Sequence, residues 1–165
     1  MILSDLRAVF RKYKIDSFVY PMFYCLPFAL RFEGTEILRR VFHDAFPGAF
    51  LLVTEGETHR FRTAETERET QERIDLDSGE FTVYERQVTP FSAGHLPERF
   101  FEDVKKETVP VFCVDPETGM MLTVYGGEGF DICAPRPEPL APLYKKFKAY
   151  LSLIDLPEMK LKFEE

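Results

Sequence analysis

The stretch from Pro110 to Ala134 limits the folds open to this chain more than any other. It reads VFCV, DPETG, MMLTVY, GGEG and FDICA, so three short apolar runs are separated by two turn signals. In the first turn Pro116 pre-sets the backbone angle wanted at the second position of a type I turn, Gly119 accepts the left-handed conformation that follows, and Asp115 has a side chain able to cap it. In the second, Gly126-Gly127-Glu128-Gly129 tolerates positive φ almost throughout. The pattern predicts a three-stranded antiparallel meander. Pro135, Pro137 and Pro139 cannot donate to a ladder and end the sheet. Leu140, Leu143, Tyr144, Phe147, Tyr150, Leu151 and Ile154 then recur at helical spacing, which predicts one covering helix.

The preceding chain supplies the remaining elements. Ser4 caps an expected first helix with Leu6, Val9, Phe10 and Tyr13 on one face. Phe18 to Pro27 reads as an extended aromatic entry loop. Phe28 to Glu33 alternates as a strand, with Phe28, Leu30 and Phe32 on one side and Ala29, Arg31 and Glu33 on the other. A second helix follows Gly34-Thr35, its apolar positions being Ile37, Leu38, Val41, Phe42, Ala45 and Phe46, and Pro47-Gly48 stops it. Ala49 to Val53 and Phe81 to Val88 have strand composition, with Pro90 and Gly94 expected to break the latter, and Phe100, Phe101 and Val104 face inward from a short helix after Pro97.

Residues 55–80 differ in kind, nine acidic residues against four arginines leaving −5 of the chain's formal −7. This segment is expected to be an acidic surface excursion, with Thr66 to Ile74 reading either as a polar helix or as irregular chain. The fold class expected is α+β: one domain over residues 1–165, built on a mainly antiparallel sheet of five or six strands with helices packed on it. Seventeen Phe and no Trp predict a Phe-rich core.

Several function classes lose ground on composition alone. A net charge of −7 disfavours a phosphate-backbone partner, so nucleic acid is not expected. The first residues lack a signal peptide and no run reaches membrane-spanning length, so a cytoplasmic protein without membrane association is expected. Cys25, Cys113 and Cys133 form no CxxC pair and read as reduced core residues. His43, His59 and His95 lack metal-ligand spacing, and no nucleophile elbow or phosphate loop occurs, so no catalytic residue, metal or cofactor is assigned. His43-Asp44 reads as a solvated helix face.

A small set of polar residues stands out as candidate binding residues: Arg31, Glu33, Tyr125, Glu128 and Asp131. Arg31 and Glu33 share the polar side of a strand. Asp131 alternates with Phe130 and Ile132, so its carboxylate needs an arginine partner if that side is covered, and Arg31 is available.

The same segments resemble an uncharacterised bacterial family named domain of unknown function 3885. The resemblance rests on Phe23-Tyr24 and Arg31-Phe32-Glu33-Gly34, the family's Arg-Phe-Glu-Leu-Gly without its Leu, and on Tyr125 to Gly129, Asp131 and Pro142-Leu143-Tyr144. The family's hairpin, Tyr-Asp-Asp-Arg-Gly, has its charged centre replaced by Gly126, Gly127 and Glu128. The resemblance implies a fold frame and no reaction, and only Arg31, Glu33, Tyr125, Gly129 and Asp131 carry over. With an acidic excess and no catalytic spacing, the leading expectation is a non-catalytic protein-binding module, immunity- or antitoxin-like, that meets a basic protein partner. The alternative is an enzyme or small-ligand binder using a polar groove near the 125–131 hairpin.

Overall fold

The structure, a computed structural model, describes residues 26–55, 72–77, 83–92, 96, 99–106 and 111–164. The elements are β1 (Phe28–Glu33), α1 (Leu38–Ala45), β2 (Ala49–Glu55), β3 (Glu72–Asp77), β4 (Val83–Ser92), α2 (Phe100–Lys106), β5 (Val111–Val114), β6 (Met121–Val124), β7 (Gly129–Ala134), α3 (Ala141–Phe147) and α4 (Leu156–Phe163). A short 3-10 turn over Lys148–Tyr150 follows α3. The expected first helix, most of the entry loop, Cys25 and much of the acidic segment lie outside the described residues.

All the strands join one antiparallel sheet in the order β1-β7-β6-β5-β2-β4-β3. The α+β class therefore stands, with seven strands among the described residues and not the five or six expected. The extra strand is β3, inside the segment read as a surface excursion. Its sequence, ERIDLD, alternates charged and apolar residues only at Ile74 and Leu76, too few to register as a strand. Pairing with β4 from Glu72↔Val88 to Asp77↔Val83 supplies what the pattern lacked. Glu72, Arg73 and Ile74 are thus strand residues, not the end of a polar helix.

Pro90 does not break β4, which runs on to Ser92. The ladder to β3 ends at Val88, so beyond it β4 pairs only with β2 and the missing proline N–H interrupts no ladder on the outer side.

Four antiparallel pairings separate β1 from β2, which makes these two strands parallel, and α1 makes the crossover between them. β4 and β5 flank β2 and are likewise parallel, joined through α2. Both crossover helices bring aromatic side chains to one face of the sheet. Phe42 of α1 sits 5.2 Å from the rings of Phe46, Phe50 and Phe101 and 5.7 Å from Phe100. Ile37, Leu38, Val41, Phe42, Ala45 and Phe46 are all buried, so the helical periodicity reports the burial directly.

The meander forms with the expected strands. Gly119 adopts φ 75° and Gly126 φ 66° at the two turns, and Asp115 Oδ1 accepts the Glu117 amide at 2.8 Å. β6 and β7 are buried along their whole length. Cys113 on β5 and Cys133 on β7 are separated by β6, and no disulfide joins them.

The single covering helix is corrected. α3 ends at Phe147, Leu151 leaves helical geometry to bridge Phe32 beside β1, and Pro157 restarts the chain as α4. Leu140, Leu143, Tyr144, Phe147 and Leu151 are buried as periodicity predicts, whereas Tyr150 and Ile154 are 48% and 85% exposed. Backbone pairing to the outer edge of β1 prevails over helix continuation because an edge strand offers hydrogen-bonding groups that a further helical turn would leave to water. α4 then buries Met159 and stacks Phe163 on Tyr144 at 5.2 Å.

Phe147 is fully buried between α3 and the sheet. Replacing Phe147 with Ala should destabilise the chain by about 3–5 kcal/mol through the cavity it leaves. An unchanged denaturant midpoint would remove α3 from the core. Gly129 meets β1 so closely that an added Cβ would lie 2.3 Å from the Phe32 carbonyl oxygen and 2.9 Å from the Tyr125 hydroxyl. Gly129→Ala should therefore cost about 1–3 kcal/mol by pushing β1 off β7, measured by the same denaturation.

Candidate functional site

The polar residues singled out in the sequence converge where β1 lies on β7. The register pairs Arg31 with Asp131 directly, and Asp131 with Thr123 on the next strand. Alternation puts these three side chains on the sheet face opposite Phe32, Phe130 and Ile132. Asp131 and Thr123 are fully buried there, while Arg31 keeps 18% of its side chain exposed.

The covered carboxylate has the partner its position demands. Arg31 Nε donates to Asp131 Oδ1 at 2.9 Å and an Nη to Oδ2 at 3.1 Å, a two-bond fork that matches guanidinium to carboxylate. Tyr125 hydroxyl lies 3.4 Å from Asp131 Oδ1 and 3.5 Å from the Phe32 carbonyl, and its single proton can serve one of them at a time. Burial pushes the Asp131 carboxyl above its ordinary range, and the Arg31 bonds and charge pull it back part of the way.

Glu33 joins this group through a residue the sequence reading left inside a helix. Ser152 Oγ donates to Glu33 Oε1 at 3.1 Å, and the Ser152 amide donates to the Arg31 carbonyl at 2.7 Å. Asp155 places Oδ2 3.6 Å from the other Arg31 Nη. Asp155 stands at the N-cap position of α4 but makes no side-chain cap bond there. The signal that could have revealed this was Asp155-Leu156-Pro157, an acidic residue and a proline at a helix start, which argues for a new helix after a break. Glu128 is the candidate that stands apart: it lies exposed in the β6–β7 turn, where its backbone carbonyl accepts the Gly34 amide at 2.7 Å.

Chemically, this arrangement is a clasp. The guanidinium is held by Asp131 and Asp155, the Glu33 carboxylate by Ser152, and Tyr125 by its two oxygen neighbours. Thr123 Oγ1 is buried with no hydrogen-bond partner among the described residues. Burial pushes the Cys113 thiol far up its scale, so it stays protonated and unreactive. Among the described residues no three His, Cys, Asp or Glu side chains gather as a metal site, and no helix is long and apolar enough to cross a membrane.

Away from this cluster a concavity of about 560 Å3 opens between the end of α1, the β5–β6 turn and the start of α3. Pro47, Pro139 and Pro142 form its apolar rim above the buried Ala45, Met120 and Leu143, and His43, Asp44, Asp115, Thr118 and Lys146 form its polar part. Lys146 Nζ donates to Asp44 Oδ2 at 2.6 Å across the gap. His43 and Asp44 are exposed, as a solvated helix face should be, but the fold sets that face against α3.

Arg31→Met should destabilise the chain at neutral pH by about 3–5 kcal/mol, because Asp131 is left as an uncompensated buried charge. The loss should shrink on acidification, since the stranded carboxylate can take up a proton. In the parent chain the native state holds the Asp131 proton more tightly than the unfolded state. Its contribution is therefore present below the ordinary carboxylate range and lost as pH rises through the raised native value. Asp131→Asn should abolish that part of the pH dependence, read as a flatter stability-against-pH curve in urea titrations.

No curated protein and no solved structure matches the chain. The family model described as Domain of unknown function (DUF3885) matches residues 2–155, which includes every candidate residue above. Over nearly its whole length, then, the chain belongs to that family.

Proposed function

We propose that this protein is a non-catalytic protein-binding module, immunity- or antitoxin-like, that recognises a basic partner. The observation that carries the reading is the mutual bonding of Arg31, Asp131 and Tyr125 at the centre of its polar cluster. A reaction centre needs ionisable groups with open geometry toward a substrate. Here Arg31 forks onto Asp131, Glu33 accepts from Ser152, and Asp155 closes on the remaining side of Arg31.

Charge supplies the partner's chemistry. The chain carries −7 overall and −5 of it between residues 55 and 80, a stretch that includes β3, whose sequence holds three acidic residues and one arginine. A charge excess of this sign accelerates encounter with a basic protein and repels acidic ones. The alternative, an enzyme or small-ligand binder around the 125–131 hairpin, draws less support because Arg31, Asp131 and Tyr125 already bond to one another and Glu33 accepts from Ser152.

Affinity capture from the native cell, with the intact chain as bait at low and at high salt, tests the reading. The expected result is a specific basic protein retained at low salt and weakened at high salt. Recovery of no specific partner at either salt would overturn it.

A further inference from the structure

We infer that the groove between α1 and α3 receives a peptide segment of the partner in which a cationic residue neighbours an aliphatic one. This rests on the protein-binding reading above and assigns it a site. The groove's volume of about 560 Å3 falls within the roughly 300–1,000 Å3 of pockets that take compact ligands, and it is lined mainly by apolar surface with a few polar groups, as such pockets are. Met120 and Leu143 at its base are buried in the core, so the apolar surface open to a ligand comes mainly from Pro47, Pro139 and Pro142. Pro47, Pro139 and Pro142 stiffen its walls, so little backbone freedom is lost when a segment enters.

Three features set the sign of the charge it accepts. Two carboxylates, Asp44 and Asp115, face one ammonium, Lys146, which Asp44 already neutralises. Asp115 Oδ1 accepts the Glu117 amide, which holds the side chain in place at the edge of the groove. The carbonyl end of α1, from His43 to Ala45, lines the same groove and adds partial negative charge. An aliphatic side chain against Pro47, Pro139 and Pro142 with a lysine or arginine beside Asp115 satisfies all three.

The test is a titration of the isotopically labelled intact chain with two blocked tetrapeptides, Leu-Arg-Leu-Arg and Leu-Glu-Leu-Glu, followed by amide shifts. The arginine peptide should move His43, Asp44, Asp115 and Thr118, and the glutamate peptide should not. Asp115→Asn keeps the oxygen that caps the turn, so the fold is preserved, and it should weaken the arginine peptide about two- to fivefold. Equal binding of both peptides, no shifts at millimolar arginine peptide, or shifts confined to the exposed Leu153-Ile154 loop would each overturn the groove assignment. A partner captured from the cell whose affinity is unchanged by Asp44→Asn with Asp115→Asn would also overturn it while leaving the protein-binding reading standing. Capture of no partner would overturn that reading, and the peptide shifts would still report on the groove by themselves.

Discussion

The ion pair between Arg31 and Asp131 ties the first described strand of the chain to the last strand of its sheet, across a separation of 100 residues. Its value lies more in register than in net stabilisation. Withdrawing two charges from water costs about as much as their attraction returns, so a well-packed apolar pair could match it in stability. What an apolar pair could not do is penalise a slip. Moving β1 by one residue along β7 would carry Arg31 to the opposite face and strand a fully buried carboxylate. Gly129 acts in the same direction, since only a residue without Cβ lets the Phe32 carbonyl approach so closely.

Other features depend on this registration. With β1 fixed, its outer edge accepts the bridge from Leu151, and the Ser152 amide reaches the Arg31 carbonyl. That contact ends the helical path after α3 and starts α4 where Asp155 can approach Arg31. On the other face the stacked rings of Phe32 and Phe130, 4.6 Å apart, continue into the aromatic core under α1 and α2. The clasp and the core are therefore two faces of one pairing.

Much of this was legible in the residues. Asp131 between Phe130 and Ile132 announced a carboxylate on a strand whose neighbours are buried, and the alternation of Phe28 to Glu33 put Arg31 on a polar side; chemistry then required a partner. The six apolar positions of α1 and both meander turns were equally readable, because local geometry and burial agree there. The rest was hidden for physical reasons. β3 owes its form to pairing with the next strand, β4, a contact that leaves little trace in its own six residues. The break after α3 arises from competition between helix continuation and an edge strand far away in sequence, and periodicity alone cannot register it. Ser152 and Asp155 were concealed with it. The groove escaped notice because it is made by two helices and a turn, none of which carries a distinctive motif.

The central claim is that β1 is locked on β7 by the chain's own groups. Native-state hydrogen exchange of the β1 and β7 backbone amides tests it most directly. A locked pairing predicts that these amides exchange only through global unfolding, with protection rising in step with overall stability as denaturant is withdrawn. Exchange of the β1 amides through a local opening well below the global free energy would contradict the account, because a strand that opens on its own is not held by a clasp.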